Sequence, residues 1–253
     1  LLPLWGWRAL FVAMAVCIAL SMLCIRLLVP AWQRHAPAQT AAVDDDGGYS
    51  AIWCSRYFWR MTPIGFFSYG GMVAIQTLWA GPWMTQVAGW SPLASATGLF
   101  VINLSMLSSF WLWGWVTPAL ARRGIHADVL IARGFPLSLV ALGALVWAGP
   151  AAGDAAALLL AAFCVSSTFV SLAQPAVGMA FAPHLAGRAL SAYNLVIFAG
   201  IFVVQWGLGL GVDLARSLGW STVAAYQAAF GVFGVASLLS WLFFIGWRTD
   251  NPR

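Results

Sequence analysis

Residues 189–212, ALSAYNLVIFAGIFVVQWGLGLGV, carry no charged side chain over 24 positions and never settle into an alternation of apolar and polar residues. A helix of about 20 apolar residues is what the ~30 Å hydrocarbon core of a bilayer demands, so this stretch reads as a membrane-spanning helix. Six further runs have the same character, at residues 9–29, 62–86, 93–117, 128–149, 155–181 and 222–246. Barrel strands would alternate over about ten residues, and these runs do not. The fold class is therefore an all-α, polytopic transmembrane helical bundle with seven spans. Composition agrees: 62% of the 253 residues are hydrophobic and 8% charged, against about 45–50% and about 25% in soluble domains. Sixteen Trp and sixteen Phe would need an oversized dry core in water, whereas lipid surrounds them at no packing cost.

All twelve basic residues are Arg, and they set the orientation. Threaded alternately through seven spans, Arg26, Arg34, Arg56, Arg60, Arg122, Arg123, Arg133, Arg188, Arg248 and Arg253 fall on one side, and only Arg8 and Arg216 on the other. Positively charged loops stay inside, so the first span runs outside to inside and the carboxyl terminus is expected in the cytoplasm. The net charge of +5 forms no basic stripe, which argues against a nucleic-acid partner. Residues 31–61 read as a cytoplasmic linker holding Pro37 and the run Asp44-Asp45-Asp46. It ends in an interfacial segment, where Trp53, Tyr57, Phe58 and Trp59 interleave with Arg56 and Arg60. The acidic triplet lacks the other ligands of a Ca²⁺ loop and reads as a solvated stretch. The four Cys show no metal spacing and read as small core residues. The first run lacks the marks of a signal peptide, and a start at Leu1 leads to the expectation of a fragment of a longer chain.

No Asp, Glu, Lys, Arg or His stands near mid-membrane, which removes proton relays and voltage sensors from this stretch. The absence of Lys excludes a retinal Schiff base, and His35, His126 and His184 all fall in loops, away from any intramembrane haem or zinc; no cofactor is expected. Uncharged polar groups are unevenly spread. They occur in span two (Tyr69, Gln76), span three (Asn103, Ser105, Ser108, Ser109), span five (Ser166, Ser167, Thr168, Ser171, Gln174) and span six (Asn194, Gln205). Spans one and four are nearly bare, and span seven holds only Ser237, Ser240 and Gln227. Helices around a wet cavity keep such groups and helices facing lipid do not. At 3.6 residues per turn Tyr69, Gln76 and Trp83 form one stripe, Asn194 and Gln205 another, and Ser167, Ser171 and Gln174 a third. Two readings stand for each amide: interhelical glue or pathway lining. Pro175, which frees a carbonyl one turn earlier, predicts a kink in span five, and Gly207, Gly209 and Gly211 predict close helix packing in span six.

Several stretches resemble the major facilitator superfamily, secondary carriers of twelve helices in two six-helix halves. Gly6-Trp7-Arg8 with Phe11 resembles the entry to the family's sixth helix. Gln76-Thr77-Leu78-Trp79-Ala80-Gly81-Pro82-Trp83 resembles its seventh, and Gly187-Arg188-Ala189-Leu190-Ser191-Ala192-Tyr193-Asn194 the turn into its eleventh, in bacterial members. The resemblance covers essentially the whole chain. It implies that residues 1–30 are helix six of an amino-terminal half, 31–61 the linker between halves, and 62–253 the carboxyl-terminal six-helix half. In that family the first, second, fourth and fifth helices of each half line the cavity, which here are spans two, three, five and six, the polar ones. The loop Gly114-Trp115-Val116-Thr117-Pro118-Ala119-Leu120-Ala121-Arg122-Arg123-Gly124 resembles the cytoplasmic gating motif, with Pro118 and Ala119 where Asp and Arg are usual.

The resemblance implies alternating-access transport of a small solute across a bacterial inner membrane, with membrane lipid, the solute and the missing amino-terminal half as partners. Substrate contacts are expected from Gln76, Asn103, Ser171, Gln174, Asn194 and Gln205, with Tyr69 and Trp83 as walls, and gating contacts from Arg122, Arg123, Gly187 and Arg188. The alternative is a seven-helix receptor or sensor; an enzyme lacks the clustered acids or His it would need near an interface.

Overall fold

The computed structural model describes residues 2–28 and 48–247. Arg34, Pro37, the Asp44–Asp46 run, Arg248 and Arg253 lie outside the described residues. The chain divides between Asp46 and Gly47 into two compact units. The first holds α1, Leu2–Leu28, a single helix with Arg26 in its last turn, where a positive charge complements the helix dipole.

The second unit is helical throughout its described residues. A short α2, Gly48–Trp53, leads to α3, a continuous helical rod over residues 56–87. Ser55 caps its start, accepting from the Phe58 backbone N–H at 3.4 Å, which satisfies one of the donors a helix start leaves orphaned. The expected interfacial segment thus turns half inward: Tyr57, Phe58 and Met61 are buried while Trp53 and Trp59 are exposed. After α3 come α4 (Pro92–Arg122), α5 (residues 127–148) and α6 (residues 156–179). α7 (Pro183–Ser217) and α8 (Thr222–Gly246) complete the unit. Ser91 and Ser221 cap α4 and α8 in the same way as Ser55 caps α3.

Five helical stretches among the described residues are long and apolar enough to cross a membrane: Phe11–Leu28, Pro92–Arg122, Ala127–Met179, Pro183–Ser217 and Thr222–Gly246. The 53 residues from Ala127 to Met179 would run about 80 Å if straight, far beyond a bilayer. Gly149 and Gly153 take φ of 49° and 47°, a region open to glycine, and fold the stretch into two limbs, α5 and α6, that pack side by side. Run two is missing from the five because α3 is interrupted by wide turns. In three places, 64–69, 75–79 and 83–87, its N–H groups reach back five residues, as Gly70 to Gly65, Ala80 to Ile75 and Ala88 to Trp83. Span five is tightened rather than sharply broken: residues 168–172, ahead of Pro175, form a turn of i→i−3 bonds. The expected gating loop is also revised, since residues 114–122 continue α4 with Pro118 inside the helix.

Two buried clusters stack along the bundle. One joins Ile52, Phe58, Met61, Ile131, Val177, Tyr193 and Phe244 at the Arg-rich end. The other joins Ile75, Trp83, Ile102, Leu145, Phe163, Leu208 and Phe230 toward the opposite end. In lipid, apolar burial does not by itself drive helices together, so close packing and interhelical hydrogen bonds must hold them.

Candidate functional site

The wide turns of α3 decide which of its side chains meet the polar helices. A residue seven positions along returns to the same face only in a regular α-helix; each five-residue closure inserts an extra residue and rotates the later turns. Trp83 is accordingly not on the Gln76 face. It is fully buried against Phe230, 4.5 Å between ring centroids, and Tyr226. This corrects the expected Tyr69–Gln76–Trp83 stripe: Trp83 is core, and its Nε1 has no hydrogen-bond partner among the described residues. Tyr69 is half-buried between the two clusters.

The amides, by contrast, come together in pairs. Gln76 Nε2 donates to Asn103 Oδ1 at 2.7 Å, joining α3 to α4, while Asn103 Nδ2 donates to the Leu99 carbonyl of its own helix at 2.8 Å. Gln205 Nε2 donates to Thr77 Oγ1 at 3.1 Å, joining α7 to α3. The Trp79 indole N–H adds a second tie to the Gln205 backbone carbonyl at 3.2 Å. Gln174 Nε2 donates to Asn194 Oδ1 at 2.6 Å, joining α6 to α7. Asn103 and Thr77 are exposed, and Gln76, Gln174, Asn194 and Gln205 are partly so. One arm of each Gln, its Oε1, and the Asn194 amide N–H₂ have no partner among the described residues. The four helices tied by these amides are α3, α4, α6 and α7. α5 and α8 tie to each other instead, through Gln227 Nε2 to the Val146 carbonyl (2.7 Å) and Trp241 Nε1 to the Ala132 carbonyl (3.1 Å).

Several serines behave differently, although Ser68 and Ser240 meet across α3 and α8 at 2.9 Å. Ser105, Ser108 and Ser171 donate to carbonyls of their own helices, Ser171 to Thr168 at 2.7 Å. Such back-bonding satisfies a hydroxyl in lipid without reaching a neighbour. Ser171 therefore does not join the amide pairs. Thr168, beside it, accepts from the Trp113 indole N–H at 2.9 Å and ties α6 to α4. Arg122, Arg123 and Gly187 are exposed at the Arg-rich end, Gly187 and Arg188 in the first turns of α7.

One cluster was missed by sequence reasoning. Arg60 Nη1 pairs with Asp128 Oδ2, its Nε donates to the Phe244 carbonyl at 2.9 Å, and its guanidinium lies 4.3 Å over the Phe244 ring. The Tyr57 hydroxyl donates to Asp128 Oδ1 at 3.1 Å. Burial first, and the Asp128 charge second, push the Tyr57 phenol above its ordinary range, before the apolar run begins. Asp128 is the one acidic residue among the described ones at an end otherwise rich in Arg, and that isolation was the available signal. Among the described residues no group of three His, Cys, Asp or Glu stands close enough to hold a metal ion.

An all-helical bundle of membrane-crossing length, with most of its amides on four of its helices and Gln227 on α8, defines an integral membrane protein. The family model of the Major Facilitator Superfamily matches residues 1–205, most of the 253 residues, and the chain belongs to that superfamily of transporters. Comparison with curated proteins and with solved structures finds no match.

Proposed function

We propose that the chain supplies helices six to twelve of a bacterial inner-membrane carrier, and that it moves a small solute by alternating access together with an amino-terminal half. In this reading the Arg-rich end and the carboxyl terminus face the cytoplasm. The observation that carries it is the set of two amide pairs and one amide–threonine pair on the four helices expected to line a cavity. Each pair uses one arm to tie two helices and leaves another arm for a solute, so glue and lining are the same residues. Gln76, Asn103, Gln174, Asn194 and Gln205 hydrogen-bond the solute, Tyr69 flanks it, and Trp83 supports α3 from behind. Arg122, Arg123, Gly187 and Arg188 sit where loops approach and separate as the halves rock. A carboxylate for proton coupling would come from the other half, since the spans of this one carry none at mid-depth.

The test needs no substrate. A single cysteine replacing Asn103 is treated with a membrane-impermeant maleimide in right-side-out and inside-out vesicles. A carrier exposes this position to each side in turn, so it reacts from both; reaction from one side alone removes alternating access and favours a receptor or sensor. Gln76→Ala and Gln205→Ala should then lower uptake across a panel of labelled solutes.

A further inference from the structure

Tyr193 is a buried phenol that the carrier reading leaves unused. It lies on α7 next to Asn194, and its hydroxyl donates to the Met61 carbonyl of α3 at 3.2 Å. Its ring stands edge-on to Phe58, 6.2 Å between centroids, and over Gly65, where an added Cβ would sit 2.5 Å from the hydroxyl oxygen. Met61 stands where α3 changes its winding. Pro63 has no N–H to offer the helix ladder, the Ile64 N–H reaches back only three residues to the Met61 carbonyl, and by Gly70 the N–H reaches back five. The tyrosine thus grips the carbonyl at the start of the wide turns.

A second tie lies further along the same two helices, from Gln205 to Thr77. Between the ties α7 spends twelve residues, 193 to 205, and α3 spends sixteen, 61 to 77. Turns that close over five residues hold more chain per turn than α-helical ones, so they take up part of the excess. Midway, Gly70 meets the Gly200 backbone, where an added Cβ would lie 2.9 Å from the Gly200 carbonyl carbon. At that contact the rods touch through backbone alone, with no side chain to lock their register.

We propose that Tyr193 is a positioning residue for the transport site: its hydroxyl holds the Met61 carbonyl and so keeps the wide turns that bring Gln76 to Asn103 and Thr77 to Gln205. This rests on the carrier reading for its functional meaning, but not for its test. Without the hydroxyl, α3 relaxes toward regular α-helix, its residues beyond Gly70 move by one position, and the amides lose their partners.

The test reads that shift directly in the full chain, with Cys17, Cys24 and Cys54 replaced by Ser. Ile75 and Ala80 are both fully buried and bracket the polar positions, so Ile75→Cys and Ala80→Cys, made separately, are protected reporters. A one-residue shift in either direction puts Ala80 at a partly exposed position, 79 or 81, and a shift toward 76 does the same for Ile75. In a Tyr193→Phe background, reaction with N-ethylmaleimide, located by mass spectrometry, should rise about fivefold or more at one reporter, the factor that one net hydrogen bond is worth. The buried native Cys164 should stay protected. Gly65→Ala, which pushes the hydroxyl aside while keeping the tyrosine, should open the same reporter and guards against a misfolded Tyr193 variant. Unchanged protection at both reporters overturns the proposal. So does equal opening of Cys164, which would mean general loosening. Two-sided reaction at position 103 is independent of either result, so the carrier reading can fail or stand separately.

Discussion

Replacing Arg60 by Ala should destabilise the second unit by about 3 kcal/mol. Its side chain is 12% exposed and ties α3 to α5 through Asp128 and to the end of α8 through the Phe244 carbonyl. A charge-assisted hydrogen bond contributes about 1.5–3 kcal/mol, the bond to a helix-end carbonyl about 1, and the contact with the Phe244 ring about 0.5–1. Asp128 is 27% exposed and keeps the Tyr57 hydroxyl. It can rehydrate when Arg60 is gone, which holds the total below the ~5 kcal/mol seen when fully buried pairs are broken. Arg60→Lys should cost about half as much, because an ammonium cannot reach carboxylate and carbonyl with the planar fork of a guanidinium. The assay is the fraction of purified protein remaining unaggregated in detergent after heating. At about 2–4 °C per kcal/mol for a unit of this size, Arg60→Ala should lower the midpoint by about 6–12 °C. In the double-mutant cycle with Asp128→Asn, a coupling of about 1–1.5 kcal/mol is expected. A midpoint within about 2 °C of the parent, or strictly additive single effects, would refute the clamp.

Three further outcomes rest on other contacts. Gly200→Ala should cost up to about 3 kcal/mol, because the new methyl meets the Phe66 backbone, whereas Gly207→Ala, with nothing within 4 Å, should fall within about 0.5 kcal/mol of the parent in the same heating assay. Gln174→Ala removes the α6–α7 amide bond and should cost about 0.6–1.7 kcal/mol; Gln174→Glu, which keeps the size but removes the donor, should cost at least as much, and full stability of both would show that the pair holds nothing. For Tyr57 the sign is set by a phenol pushed upward in the folded state. Its contribution is fully present below the unfolded value near 10 and is lost as pH rises beyond it, so Tyr57→Phe should flatten the alkaline limb of a stability profile and leave the pH 6–9 region parallel to the parent.

The helical class was legible because apolar runs of bilayer length admit few other structures. The division of polar side chains was legible too, since amides placed in lipid must find partners and therefore concentrate on helices that face one another. What periodicity could not reveal was the winding of α3. The Tyr69–Gln76–Trp83 stripe assumed 3.6 residues per turn, and the five-residue closure at 75–79, between Gln76 and Trp83, turns Trp83 into the core. Pro63 and Pro82, which have no N–H for the helix ladder, stand just before the wide turns at 64–69 and 83–87, but a proline alone does not say how the helix around it will wind. Long-range pairs were invisible for a similar reason. Arg60 and Asp128 stand 68 residues apart, and each alone looks like an ordinary loop charge.

The contrast between Ser105 or Ser108 and the amides lies in how many partners each group needs. A serine hydroxyl in a helix reaches its own carbonyl four residues back, as Ser105 and Ser108 do, and is then largely satisfied. Gln and Asn carry both donors and an acceptor on a plane that extends past the helix surface, so one neighbour cannot satisfy them. In a helix pair sealed in lipid the spare arm would be costly. Gln76, Gln174, Asn194 and Gln205 instead stay partly exposed. In the function proposed above, those spare arms are what a solute would meet.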